Sequence, residues 1–241
     1  MSVKFGLLLA IGLMLTAATP QGNVQKLSLD FTTKTLFEGK SVTGTGVLYY
    51  STSGGKMVTQ MKTPLKQLIV TNSTGEYKSY DFENNQVTLM QGAELSSKNS
   101  FVYSFLSGKI KDMGISELGF KLSDTRFEDG LVISVYSAPT NRSSFAHKIE
   151  IAHENYLPIY VGLIDNEGMT FKKTYYTNYQ DVSYIKMPFT VTEIDYLSEV
   201  DSTITRRSYG NLKTNQTVSN EWFDFVIPTD AEVLTPKVPE E

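Results

Sequence analysis

The chain has 241 residues, with 22 basic and 26 acidic side chains, a formal net charge of −4 and no cysteine. Lysine and arginine are nowhere clustered, which excludes a nucleic-acid footprint. The missing cysteine excludes a disulfide framework, a thiolate site and a lipid-modified N-terminal cysteine.

Lys4 precedes an apolar run from Phe5 to Leu15 and the small-residue segment Thr16-Ala17-Ala18-Thr19-Pro20. That order reads as a secretory signal peptide over 1–18, cleaved after Ala18, with an uncleaved N-terminal anchor as the alternative. The run is about half of the roughly 20 residues that a spanning helix needs, and no later segment comes close. Residues 19–233 then read as one large β-rich domain and 234–241 as a flexible tail.

From Gln25 to Phe37 the side chains of Leu27, Leu29 and Phe31 alternate with Lys26, Ser28 and Asp30, the period of a strand. Ser41 to Ser51 is a second strand in which Gly44 and Gly46 predict a bulge, a bend or the close approach of another backbone. Curvature of the sheet is expected there. The stretch from Gly44 to Val87 is a meander, with turns at Ser53-Gly54-Gly55-Lys56, Lys62-Thr63-Pro64, Asn72-Ser73-Thr74-Gly75 and Glu83-Asn84-Asn85. Such a meander is expected to have one apolar and one polar face.

At Leu95 to Leu106 the period changes. Phe101, Val102, Phe105 and Leu106 fall at helical spacing, with Asn99 or Ser100 placed to cap the start and Gly108 to end it. Gly114 to Asp124 fits either a helical turn or a strand. β character resumes at Leu131–Tyr136, Phe145–Ile151, Ile159–Ile164 and Met169–Tyr176. An excursion over Thr177–Lys186 and a corner at Met187-Pro188 are expected next, followed by strands Phe189–Leu197, Thr203–Tyr209, Asn211–Val218 and Phe223–Val226.

Catalytic and metal chemistry find no support. His147 and His153, the two histidines, would stand about 20 Å apart on one strand at roughly 3.3 Å per residue, so they cannot share an ion and are read as solvated. No GxSxG, HExxH or phosphate-binding glycine loop occurs. The acidic neighbours Glu128 with Asp129, and Asp224 with Glu221, read as turn-flanking residues rather than a glycosidase pair. Asn72, Asn141 and Asn215 begin glycosylation-type triplets, a number that chance supplies in this composition. The expectation is a protein without enzymatic activity, metal or cofactor.

Leu29, Phe31, Leu48, Tyr50, Met57, Met61, Leu68 and Val70, together with Phe101, Phe105 and Leu106 of the helix, can be arranged in two ways. They line an apolar, lipid-binding concavity of a curved sheet that the helix covers, or they form a filled core.

The order Gly46-Val47-Leu48-Tyr49-Tyr50, Met57 to Pro64, Leu68-Ile69-Val70 and Tyr80-Asp81 resembles the LolA-type periplasmic lipoprotein carriers. Leu157-Pro158 with Asp165-Asn166-Glu167-Gly168, and Phe223-Asp224-Phe225-Val226-Ile227-Pro228 with Val233, resemble the family's later strand, hairpin and closing segment. The resemblance covers most of the mature chain. It implies a β-rich α+β fold: a single strongly curved antiparallel half-barrel of roughly eleven strands, with short helices over the concave face. It also implies a monomeric periplasmic carrier that takes the acyl chains of a lipoprotein from an inner-membrane donor and hands it to an outer-membrane acceptor. Three features depart from the pattern. Val58 and Thr59 stand where the carriers have an arginine that locks the lid and an aromatic residue, the usual N-terminal helix is missing or very short, and Thr177 to Tyr209 adds β structure. The same superfamily includes lipid-binding envelope sensors, and a secreted structural β protein is the remaining alternative.

Overall fold

A computed structural model describes residues 23–140, 144–198 and 201–235. The predicted signal peptide, the Asn141 triplet and all but the first two residues of the predicted tail lie outside them. The strands are β1 (Lys26–Phe37), β2 (Lys40–Ser51), β3 (Lys56–Thr63), β4 (Gln67–Thr71), β5 (Glu76–Asp81), β6 (Gln86–Gln91), β7 (Lys121–Glu128) and β8 (Leu131–Ser137). They continue as β9 (Lys148–Glu154), β10 (Leu157–Ile164), β11 (Thr170–Val182), β12 (Ile185–Tyr196), β13 (Ser202–Thr214) and β14 (Glu232–Leu234). One α-helix, α1 (Phe101–Leu106), lies between β6 and β7.

All fourteen strands belong to one open sheet in the order β14-β6-β5-β4-β3-β2-β1-β13-β12-β11-β10-β9-β8-β7. The count replaces the eleven or so implied by the resemblance, with β7 at one edge and the three-residue β14 at the other. Two antiparallel meanders, β1–β6 and β7–β13, meet where β1 pairs with β13; there Phe31 faces Tyr209, Thr33 faces Arg207 and Thr35 faces Thr205. β14 joins β6 in parallel.

Gly114 to Asp124 proves to be both of its alternatives: a 3-10 turn at Ile115–Leu118 and the start of β7. The expected excursion at Thr177–Lys186 is instead the end of β11, a turn through Ser183 at φ 58°, and the start of β12. Met187-Pro188 is no corner. Pro188 pairs with Tyr179 on β11, while pairing of β12 with β13 begins only at Thr190. The proline therefore sits where β12 has a neighbour on one side alone, and its missing N–H takes no bond from the ladder. Thr203–Tyr209 and the first part of Asn211–Val218 are one strand, β13, interrupted by a register shift beside Asn211 at φ 47°. Phe223–Val226 forms no strand.

The meander does not have the one polar face expected of it. On one face Leu27, Leu29, Phe31, Leu48 and Tyr50 pack with Tyr176, Met187, Phe189 and Val191 under Val102 and Phe105 of α1. On the other, Val47, Tyr49, Val58, Leu68, Tyr80 and Val87 pack under Val218, Trp222, Phe223 and Phe225 of the C-terminal segment. Both faces of β2 and β3 are thus covered. The aromatic run at Phe223, which resembles a strand in sequence, is a strap whose rings fill that second face: Tyr49 meets Phe223 edge-on at 6.1 Å, and Phe82 meets Phe225 at 5.6 Å.

The two strand glycines mark close backbone approach, and the register of β2 on β3 shifts between Thr45 and Gly46. A Cβ at Gly46 would collide with the Gln60 carbonyl oxygen and stand 2.6 Å from the Phe31 ring. Gly46→Ala is therefore expected to lower stability by about 1–3 kcal/mol, since neither the neighbouring backbone nor a buried ring yields cheaply. The urea midpoint reads it, and Gly210→Ala, with open space at its Cβ, is the control.

Candidate functional site

The site lies on the face that carries α1. Six residues make a helix too short to be stable by itself, so its position comes from caps and packing. The Ser100 hydroxyl accepts from the Tyr103 N–H at 3.2 Å, as a helix-capping serine does. Just ahead, the buried Ser97 hydroxyl donates to the Gly55 carbonyl at 2.5 Å, and Ser96 donates to Ser73 at 3.1 Å. These bonds tie the helix entry to the two turns that flank β3 and β4. Phe101 lies over Tyr209 at 5.3 Å between ring centres, and Phe105 reaches Tyr176 and Tyr179, each at 6.0 Å. Gly108, at φ 72°, follows the last turn.

Beyond the N-terminal end of α1 the packing opens into a cleft of about 760 Å³, bounded by β1–β4 on one side and β11–β13 on the other. Its apolar wall includes Phe31, Leu48, Met57, Met61, Ile69, Phe101 and Val191. Thr33, Thr35 and Thr205 continue the lining to a polar end formed by Lys172, Glu193 and Arg207. A volume in the range of small-molecule sites, with an apolar wall facing a polar end of comparable extent, suits an amphiphilic ligand.

Nine of the eleven side chains expected at the site are brought to this face. Phe31, Leu48, Met57, Met61 and Phe101 line the cleft. Leu29, Tyr50, Phe105 and Leu106 belong to the packed core beside it. Leu68 and Val70 do not join them. Register places Val70 opposite Val58 and Leu68 opposite Gln60, so both face the C-terminal strap, and Ile69, opposite Thr59, takes the place in the cleft. Of the two residues at the position of the usual lid lock, Val58 is fully buried under the strap and Thr59 lines the cleft.

Sequence reasoning missed Ile69 and the polar end. Counting residues outward from the turn at Thr63-Pro64, which joins β3 to β4, sets Ile69 opposite Thr59 and so on the face of Met57 and Met61. The charged residues had a weaker signal: Lys172, Thr174 and Tyr176 alternate along β11 and Thr205, Arg207 and Tyr209 along β13, all on the cleft side. His153 also departs from expectation. It is buried, with its ring Nε2 3.0 Å from the Ile110 carbonyl oxygen, while His147 is exposed. Among the described residues no group of three His, Asp or Glu side chains could hold a metal ion.

Glu193 is the hub of the polar end. Arg207 Nη1 donates to it, and Lys172 lies 3.2 Å from Glu193 and 3.1 Å from Asp195. Burial pushes the Glu193 carboxyl up, but the charges and hydrogen bonds of Arg207 and Lys172 outweigh burial and hold it below the usual carboxylate range. Burial pushes the neighbouring Tyr209 phenol up to about 12, so it is a neutral donor at pH 7. Because the folded value of Glu193 lies below its ordinary 4.5, its stabilisation is fully present above pH 4.5 and is lost as pH falls through the folded value. Glu193→Gln is expected to lower stability at pH 7 by about 1–2 kcal/mol. Urea midpoints of the two proteins should converge toward pH 3, and a gap that stays constant would remove Glu193 from the acid limb.

No family model matches the sequence, and no curated protein matches it. Solved structures do. A DUF1329 family protein from Desulfovibrio piger superposes with a TM-score of 0.59 at 15% identity, covering 85% of this chain and 91% of the other. A provisionally named outer membrane lipoprotein-sorting protein domain from Vibrio parahaemolyticus gives 0.57 at 15% identity, over 82% and 88%. A LolA superfamily protein from Nitrosomonas europaea gives 0.56 at 11% identity, over 84% and 90%. The chain shares the fold of these structures.

Proposed function

We propose that the protein is an exported, non-enzymatic carrier that buries the acyl chains of a lipoprotein or similar lipid in the cleft beside α1. The observation that supports this most is the cleft itself, an apolar wall left open between sheet and helix where a filled core would have closed it. The shared fold agrees, since one matching structure is described as a lipoprotein-sorting domain and another as a LolA superfamily protein. Among the described residues no helix is long and apolar enough to cross a membrane. In this reading the carrier works in the periplasm as a monomer.

Burial supplies the mechanism. At about 0.8 kcal/mol per methylene, a chain of some 15 methylenes gains on the order of 12 kcal/mol by leaving water. Release into solvent is then negligible. The chain has to pass directly from an inner-membrane donor and to an outer-membrane acceptor, and α1 is the element whose displacement would open the path. Mass spectrometry of protein purified from its native host is expected to find acylated material bound. Protein that carries none and takes up no fluorescent fatty acid would sink the reading.

A lipid sensor using the same cleft is the second reading. It is favoured by α1 being held through packing and serine caps, with Thr59 in place of a lid-locking charge. Deletion of the gene separates the two: a carrier's loss strands its lipoprotein cargo, and a sensor's loss alters an envelope stress response with sorting intact.

A further inference from the structure

The apolar wall accounts for a lipid tail and leaves the polar end of the same cleft unexplained. Lys172, Glu193 and Arg207 line it, and Asp195, 3.1 Å from Lys172, supplies the second carboxylate, so the group is neutral as a whole and Arg207 is the cation that Asp195 does not touch. The guanidinium of Arg207 has five N–H donors; its bond to Glu193 is made through Nη1. Its side chain is 40% exposed, open enough to be reached from the cleft, and Glu193 beside it is 20% exposed. Thr33 and Thr35 on β1 and Thr205 on β13 add hydroxyls beside this group: Thr33 is opposite Arg207, Thr205 is opposite Glu193, and Thr35 and Thr205 are 3.2 Å apart.

An end composed mainly of donors, with a forked cation at its centre, suits a planar or tetrahedral anion. We propose that Arg207, supported by Lys172, binds the anionic headgroup, a phosphate or carboxylate, of the amphiphile whose chain occupies the apolar part of the cleft. The inference rests on the acyl-binding reading and adds a selectivity to it. Glu193 is then a positioning residue: it fixes the direction of Arg207 and Lys172 and tempers their charge, so that a neutral headgroup is accepted more weakly and not refused.

The test is displacement of a fluorescent fatty acid by three amphiphiles with the same palmitoyl chain: lysophosphatidic acid, lysophosphatidylcholine and monoacylglycerol. Glycerol phosphate, which has no chain, is the fourth probe. Lysophosphatidic acid is expected to bind at least about tenfold more tightly than monoacylglycerol, the margin of a charge-assisted hydrogen-bond pair. Arg207→Gln should abolish that margin, lowering the affinity for lysophosphatidic acid about tenfold more than that for monoacylglycerol. Glu193→Gln, which frees Arg207 while Lys172 keeps Asp195, should widen it, an outcome that a purely structural ion pair would not give. Equal affinities in the native protein, a margin that survives Arg207→Gln, or a margin that narrows in Glu193→Gln would overturn the proposal. Glycerol phosphate binding as tightly as lysophosphatidic acid would make this a free-phosphate site and overturn the headgroup assignment. If monoacylglycerol also fails to bind, the acyl-binding reading falls with it; if it binds and only the margin is missing, the headgroup proposal falls alone.

Discussion

Phe105→Ala is expected to destabilise the protein by about 3–5 kcal/mol, the cost of emptying an aromatic site in a packed core. Phe105 is 1% exposed and is held between the rings of Tyr176 and Tyr179. Both tyrosines belong to β11, where Tyr176 pairs with Val191 and Tyr179 with Pro188 of β12, and the Tyr179 hydroxyl donates to the Pro158 carbonyl of β10, so the walls of the new cavity cannot collapse far. The loss falls doubly on α1, because a six-residue helix has almost no stability of its own. Urea unfolding should show a lower midpoint with an unchanged slope. Amide exchange over 101–108 should also quicken more than exchange in β1 or β13. Leu106→Ala, at a partly buried neighbour on the same helix, should cost less than half as much. If the two variants proved equal, packing of Phe105 against β11 would not be what holds the helix in place.

Much of this arrangement was legible in the sequence because local rules and tertiary demands agree over most of the chain. Ser100 caps α1, the hairpin at Ser53-Gly54-Gly55 closes where its glycines indicate, and Gly46 approaches the Gln60 backbone. The misreadings occur where they diverge. Pro188 looks like a corner by local chemistry, but a strand with one neighbour tolerates it, and only the pairing of β12 shows that condition. Leu68 and Val70 were placed on the wrong side because alternation states which residues share a face, not which face of the sheet that is; the register of β4 on β3 decides it. Phe223 and Phe225 alternate like a strand because a strap lying on a pleated surface meets it with the same period. The polar end of the cleft needed three strands brought together, β11, β12 and β13, each contributing one charge that means little alone.

Thr59→Trp is expected to leave the fold intact and to weaken acyl binding roughly a hundredfold. Thr59 lines the cleft on β3, with Leu48 opposite on β2 and Ile69 opposite on β4, so a side chain grown from it enters the open volume and not the packed core. Tryptophan is well tolerated in a strand and finds there three apolar neighbours, Leu48, Met57 and Ile69. Stability should therefore change by less than about 1 kcal/mol, in contrast to Gly46→Ala on the adjoining strand. An indole excludes about four methylenes of a bound chain, or roughly 3 kcal/mol at 0.8 kcal/mol each, which converts to the hundredfold loss. A series of fatty acids gives the sharper reading. In the native protein affinity should climb about fourfold per added methylene until the chain outgrows the cleft, and in the variant the climb should stop about four carbons earlier. Chains of eight carbons should then bind the two proteins almost alike, while chains of sixteen should separate them. A variant that binds sixteen-carbon chains as tightly as the native protein would mean that the chain lies elsewhere, and the wall formed by Phe31, Leu48, Met57 and Met61 would have to be read as the rim of an unfinished core.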